Sequence, residues 1–342
     1  MARARRTTIA DVALLSGLSI CTVSRALRNL SNVSDKAQAQ VADAAQKLGY
    51  KASSAAARLA GGSTGAIAIV APSATSWFFA QAVEAAEEVF ADSGWDCVLI
   101  SLRNKPSVRK KVFGDLDALA QRVDGVLLLN VDLDAEEISD LEASGLAVAS
   151  VGMSRVPWDN VGIDDEHAAW TATNHLLELG HWELAVLTGH EMDGTSVLSS
   201  RDRLTGFRRA LAESDLTVHP DLVVAAGSTI EGGRRAMTEI LANRDMPTAV
   251  FAACDEAGFG ALMALREHGR NAPKDVSLIG LDDHPMSWFM GLSTVAQPVA
   301  DQGAFAANLL CERLADPSAH DRAARHMLGV KLIERKTTRH KR

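Results

Sequence analysis

Thr8-Ile-Ala-Asp-Val-Ala13, Ser16-Gly-Leu-Ser19 and Thr22-Val-Ser-Arg25 follow one another near the start of the chain, and their spacing decides the first domain. Thr8 and Asp11 make a capping-box-like helix start, hydroxyl and carboxylate both able to satisfy orphan backbone N–H groups. The helix runs through Val12, Ala13, Leu14 and Leu15 until Gly17, which supplies the positive φ of a sharp turn. Ser19 caps a second short helix, residues 20–27. There Val23, Ala26 and Leu27 share one face, while Ile20, Cys21, Ser24 and Arg25 lie largely away from it. Ser34 opens a third helix with Ala37, Val41, Ala44, Ala45 and Leu48 at helical spacing, and Gly49 closes it.

Helix, glycine turn, helix and supporting third helix form the helix-turn-helix arrangement, whose second helix offers its early residues to base edges. The same pattern describes a small helical cap with a solvated polar face, and charge separates the two readings. The chain has 342 residues and a net charge of -8. Its first 60 residues hold nine Lys and Arg against Asp11, Asp35 and Asp43, which is +6 and leaves -14 for the rest. A basic head on an acidic body is the electrostatic footprint of a nucleic-acid binder.

These stretches, with Val33-Ser34 and Leu48-Gly-Tyr50, resemble the head of the LacI/GalR family of bacterial repressors, without a gap from Thr8 to Leu59. Ser53-Ser-Ala-Ala56-Ala-Arg-Leu59 is similar to the family's hinge helix, which folds on operator DNA and wedges a leucine into the minor groove. The resemblance puts Leu59 in that role; read alone, it is equally a linker leucine packing on the core. Thr8, Ser19, Ile20, Cys21, Thr22, Ser24, Arg25, Arg28, Asn32, Tyr50, Ser53, Ala56 and Leu59 are thereby implied as DNA contacts. Ile20 and Cys21 hold the positions that mostly choose bases, and both favour apolar contact with thymine methyls. Arg25 is the candidate for a hydrogen-bonded reading of guanine, the alternatives being a phosphate contact or support of the fold. Ala52 stands where the family usually has proline, which loosens the hinge, and Arg28 where it has asparagine, which adds a phosphate contact.

Beyond Gly61-Gly-Ser-Thr-Gly65, read as a linker because no Gly-Lys-Ser/Thr follows, short apolar strands alternate with amphipathic helices. Strands are expected at 67–70, 95–100, 125–129, 147–151, 184–187, 222–225, 249–252 and 276–280. Helices are expected at 80–92, 166–179, 204–212, 230–241 and 257–268. Repeated β-α units imply parallel sheets with right-handed crossovers and a ligand site beyond the strand carboxyl ends. Leu179-Gly-His181, Arg203-Leu-Thr-Gly-Phe207, Asp275-Val-Ser-Leu-Ile-Gly-Leu-Asp282-Asp283 and Leu292-Ser-Thr-Val-Ala-Gln297-Pro298 extend the resemblance over nearly the whole chain. It implies a small all-α helix-turn-helix head plus an α/β two-lobed, type I periplasmic-binding-protein-like core with two doubly wound parallel sheets. The expected divisions are head 1–50, hinge helix and linker 51–65, core 66–334 and a disordered basic tail 335–342. Lobe 1 takes about 66–160 plus 292–322, and lobe 2 about 161–291 plus 323–334.

Within the core the resemblance carries effector contact to Arg203 and Asp282. It also points to Ser73, Phe78 and Phe79 in the loop after the first strand, one phenylalanine stacking on ligand and the other packing in the core. Cys254 and Asp255 stand where the family often has Asn-Asp, and Gly152 follows a strand where some sugar-sensing members carry aspartate. Fewer hydrogen-bonding groups suggest a ligand less polar than a hexose, or one held partly by Trp158, Trp170 or Trp288; ordinary packing explains most tryptophans equally well.

Four cysteines without metal-ligand spacing read as reduced thiols. Neither an apolar signal region nor a stretch of 18 apolar residues is found, so a cytoplasmic, non-membrane protein is expected. Ten scattered histidines and the absence of Gly-x-Ser-x-Gly or His-Glu-x-x-His argue against an enzyme, and no cofactor or metal is expected. The expected partners are near-palindromic double-stranded operator DNA, a small-molecule effector such as a sugar, and a second copy in a homodimer. The competing reading is a solute-binding protein with no DNA role, which would need an export signal and have no use for the head.

Overall fold

A computed structural model of the chain describes residues 7–27, 33–48, 50, 63–153, 156–189, 198–242, 246–316 and 323–341. Contacts divide the chain into two units, Met1–Gly65 and Ala66–Arg342.

In the first unit, α1 (Ile9–Ser16), α2 (Ile20–Leu27) and α3 (Asp35–Lys47) form the head. Thr8 caps α1 through the full capping box with Asp11, and Gly17 ends it at φ 69°. The turn sets α1 and α2 at 105° to one another. Ser19 caps α2 by accepting from the Thr22 amide at 3.1 Å, and Ser34 caps α3 through the Ala37 amide. Val12, Ala13, Val23, Ala26, Val41 and Ala44 close the core that the spacing predicts. So small a core relies on its caps, each contributing about 1 kcal/mol.

The second unit holds two six-stranded sheets. In the first, β1 (Ala66–Ala71), β2 (Asp96–Ser101), β3 (Gly125–Leu129), β4 (Ala147–Val151), β5 (Asp159–Gly162) and β11 (Arg325–Met327) lie in the order β11-β5-β4-β3-β1-β2. All its pairings are parallel. In the second, β6 (Leu184–Thr188), β7 (Val223–Ala225), β8 (Ala249–Ala252), β9 (Ser277–Asp282), β10 (Ser293–Ala296) and β12 (Lys331–Ile333) lie in the order β12-β10-β9-β8-β6-β7. Only the β12–β10 pairing there is antiparallel. Helices cover both faces of each sheet, which is why the strands read as unbroken apolar runs. Ile67, Ile69 and Ala71 enter one cluster, and Ala66, Ala68 and Val70 the opposite one.

The covering helices on the first sheet include α4 (Trp77–Asp92), α5 (Pro106–Phe113), α6 (Leu116–Ala120) and α7 (Ala135–Ala143). On the second they are α8 (Asp165–Glu178), α9 (Leu198–Ala212), α10 (Ile230–Ala242), α11 (Asp255–Glu267) and the short α12 (Pro285–Met290). Helix α13 (Val299–Ala315) returns to the first sheet and packs beside α4. Two glycines let α10 and α11 touch backbone to backbone. A Cβ on Gly233 would sit 2.1 Å from the Ala257 carbonyl oxygen, and one on Gly260 would sit 1.9 Å from that of Ile230.

Sheet membership moves the lobe boundaries from those expected. β5 runs to Gly162 inside the first sheet, and Ser293–Ala296 pairs with β9 and so belongs to lobe 2. Arg325–Met327 pairs with β5 in lobe 1. The chain therefore passes between lobes at about 163, 297 and 328–330. Apolar runs locate strands, but which sheet edge each joins is settled by pairing.

Residues 335–341 also differ from the disordered tail expected from their charge. The Thr337 carbonyl accepts from the Leu278 amide at 2.8 Å, and its buried hydroxyl donates to the Leu278 carbonyl at 2.7 Å. Arg335 pairs with Asp283 at 2.6 Å. Alternating Thr337 and Arg339 feed polar groups to the edge of lobe 2, a pattern that a count of charges hides.

Candidate functional site

On the head, Ile20 (53% exposed), Cys21 and Arg25 project from α2, opposite the buried Val23 and Ala26. Ser19 and Thr22 share a 2.9 Å hydroxyl contact at its start, and Ser24 is half-buried. Two other expected DNA contacts have structural work. The Thr8 hydroxyl is bonded to Asp11 at 2.7 Å, and Tyr50 packs on the head core. Arg28, Asn32, Ser53, Ala56 and Leu59 lie outside the described residues.

In the core, a cavity of about 190 Å³ opens between the lobes. Lobe 1 contributes Ser73, Thr75, Ser76, Phe79 and Asn104, and lobe 2 contributes Ser228, Thr229 and Glu256. Of the two phenylalanines, Phe79 lines the cavity, whereas Phe78 packs against the lobe 1 core and meets Phe79 edge-on at 5.3 Å.

Arg203, on α9, is joined to the expected Asp282 in one network. Its Nε donates to Asp165 at 2.8 Å and its Nη1 to the Ala253 carbonyl at 2.6 Å. The same Nη1 lies 3.9 Å from Asp282 Oδ1, which accepts from Gln297 at 2.6 Å. Asp282 ends β9 at φ 136° and Asp283 follows at φ 61°; such backbone persists only where the surroundings enforce it. Burial outweighs the Arg203 charge and pushes the Asp282 carboxyl up to about 7. Cys254 caps α11 with its sulfur. Burial first, then Asp282, push its thiol up to about 12. None of Arg203, Cys254 and Asp282 lines the cavity itself.

Asp255, expected beside the ligand, is instead wholly buried and internally satisfied. It accepts from Ser287 at 2.6 Å, Thr294 at 2.7 Å and the His284 amide at 2.8 Å. Even so, burial pushes its carboxyl up to about 6. It locks the start of α11 to α12 and β10. The tryptophans leave the ligand too. Trp158 is buried and donates to Ser150 at 3.1 Å, and Trp170 donates to Glu213 at 2.6 Å. Trp288 is 71% exposed beside Phe289, at 74%.

Sequence reasoning missed the residues that join the lobes. Glu256 Oε2 accepts from the Ser76 hydroxyl at 3.2 Å and the Trp77 amide at 3.4 Å. The Trp77 ring meets His284 at 4.7 Å, and burial lowers the His284 pKa. Asn130, at φ 50°, donates to Ser199 across the cleft at 3.0 Å. Its Oδ1 is buried with no hydrogen-bond partner. A Cβ on Gly152 would come within 3.2 Å of Asn130 Cγ, so an aspartate there would crowd this amide. A polar residue directly after the apolar strand 125–129 was the available signal for Asn130. Glu256, in the first turn of a helix, reads as ordinary dipole-favouring charge.

A basic three-helix head followed by a two-lobed core with a polar cleft defines a DNA-binding protein with a ligand-sensing domain. Residues 8–53 match the model for bacterial regulatory proteins of the lacI family, and 173–338 match a periplasmic binding protein-like domain. The HTH-type transcriptional regulator DegA of Bacillus subtilis (strain 168) is 32% identical over 306 residues, 87% of this chain and 89% of its own length. The Lac repressor dimer bound to operator and the anti-inducer ONPF superposes with a TM-score of 0.82 at 27% identity, covering 98% of this chain and all of the other. The CelR–cellobiose complex superposes at 0.71 and 29% identity, covering 97% and 100%. The chain belongs to the lacI family of bacterial transcriptional regulators. Its relatives are regulators rather than enzymes, and the head removes the competing reading as a solute-binding protein. Among the described residues no single helix is long and apolar enough to cross a membrane.

Proposed function

We propose that the chain binds a near-palindromic operator as a homodimer in the cytoplasm and represses transcription under the control of a small molecule held between its lobes. One observation carries the effector part: the cavity draws its walls from both lobes, and hydrogen bonds from Ser76 to Glu256 and from Asn130 to Ser199 join those lobes. A ligand there contacts both lobes at once, so it favours one lobe arrangement over another and shifts their populations. The head supports the DNA part through Ile20, Cys21 and Arg25, exposed on one face of α2. No chemistry is required of the cleft. A thiol pushed up to about 12 stays protonated at neutral pH, the wrong state for a nucleophile.

Selection of bound DNA from a random library by the purified protein tests this reading. Enrichment of a near-palindrome with a central pyrimidine–purine step is expected, because an apolar hinge wedge opens such steps most readily. Binding that is unspecific and steeply salt-dependent would overturn it.

A further inference from the structure

We propose that Glu256 makes the interlobe cleft a charge filter, admitting uncharged or ammonium-bearing polyols and rejecting phosphorylated or carboxylated ones. The proposal rests on the effector reading above and names the ligand class. Among the described residues Glu256 is the one charged side chain lining the cavity, and serine and threonine hydroxyls make up most of the remaining polar wall.

The place where an anion would ordinarily settle is already taken. Helix α4 begins at the cavity, and its N-cap residue Ser76 makes no side-chain cap. A helix N-terminus in that condition attracts a phosphate or carboxylate. Here lobe 2 supplies the anion itself, because Glu256 Oε2 holds both the Trp77 amide and the Ser76 hydroxyl. An anionic ligand would have to displace Glu256 or lie against it.

Among the described residues no cation lines the cavity to offset this. Arg203 is committed to Asp165, to the Ala253 carbonyl and, at longer range, to Asp282. Arg103 and Lys105 flank the lining residue Asn104 but are exposed and outside the lining. A hydroxyl or ammonium hydrogen can instead be donated to the carboxylate. A cavity of about 190 Å³ holds roughly six waters' volume, which suits one sugar ring rather than a chain.

Matched sets of gluco-, galacto- and manno-pyranoses, each as neutral sugar, 2-amino sugar and 6-phosphate, are titrated into wild type and Glu256→Gln by calorimetry. In the wild type at least one set binds as neutral or amino sugar, with its 6-phosphate weaker by about tenfold or more. In Glu256→Gln, which keeps the size of the side chain, that discrimination shrinks severalfold. Preferred binding of a 6-phosphate by the wild type would overturn the filter, as would unchanged discrimination in the variant. Binding of no sugar in any form would sink the sugar-effector reading itself.

Discussion

Asp282 Oδ1 sits 3.9 Å from Arg203 Nη1, close enough to feel its charge and too far for a direct hydrogen bond, while Gln297 donates to the same oxygen at 2.6 Å. The carboxylate at the end of β9 is thus tied to α9 by charge and to the hinge after β10 by a hydrogen bond. Asp282→Asn keeps the shape and removes the charge. The response of operator binding to the effector should weaken severalfold, because α9 and the segment after β10 lose the charge they share while the Gln297 hydrogen bond is kept. Operator titrations with and without ligand measure it.

The same carboxyl makes stability depend on pH. Burial raises its folded pKa from the ordinary aspartate range, about 4, to about 7, so between those values the folded state keeps a proton that the unfolded chain releases. Stability from this group is full below about pH 4 and is lost as pH rises toward 7. Thermal melts of Asp282→Asn should therefore gain on wild type as pH increases from 4 to 7. A constant difference between the two would refute the assignment.

Gly280 lies under the Asp255 carboxylate. A Cβ there would come within 2.1 Å of Asp255 Oδ1, which Thr294 holds in place. Gly280→Ala should destabilise the core by about 1–3 kcal/mol, the usual range for overpacking, in a denaturant titration.

Arg25 is exposed on α2 while its neighbours Val23 and Ala26 are buried. Arg25→Ala should leave the head folded by circular dichroism. It should cost about 1–3 kcal/mol of operator affinity at one base position in each half-site if the residue reads guanine. A loss that is uniform across sequences, with a shallower salt slope, would make it a phosphate contact instead.

Truncation after Glu334 would remove the Thr337 groups bonded to Leu278 and Ser293, and the Lys341 amide bonded to the Leu179 carbonyl. Each buried group left unpaired costs about 1–3 kcal/mol. The truncated core should melt several degrees lower; an unchanged melting temperature would restore the disordered tail.

Local signals made the head legible: Thr8 with Asp11, Gly17 and Ser34 are caps that need no distant partner. The apolar strands were legible for a similar reason, because sheets covered on both faces force runs such as Ala66–Ala71. What escaped was everything decided by pairing over long separations. The resemblance covers Ser293–Ala296 but puts it in lobe 1 and predicts no strand there; its register with β9 and β12 makes it a strand of lobe 2. In the core, the resemblance to the family pointed to Phe79, which lines the cavity, and to Arg203 and Asp282, which pair near each other without lining it. It also nominated Asp255, whose charge is spent on Ser287, Thr294 and the His284 amide. Glu256 and Asn130 escaped because a helix-start glutamate and a post-strand asparagine become special only when the opposite lobe arrives.

The return of α13 to the first sheet sets a timetable for synthesis. The first sheet's central strands are complete at Gly162, yet the helix packed beside α4 begins only at Val299, about 140 residues later. At 5–20 residues per second a ribosome needs roughly 7–30 s to make that stretch. Through that interval the apolar flank formed by Ile67, Leu127 and Ala149 is without Ala306, Ala307 and Leu310, which later seal it. The nascent chain is most exposed to chaperones and to aggregation then, while the small head, already emerged, holds every residue it needs to fold.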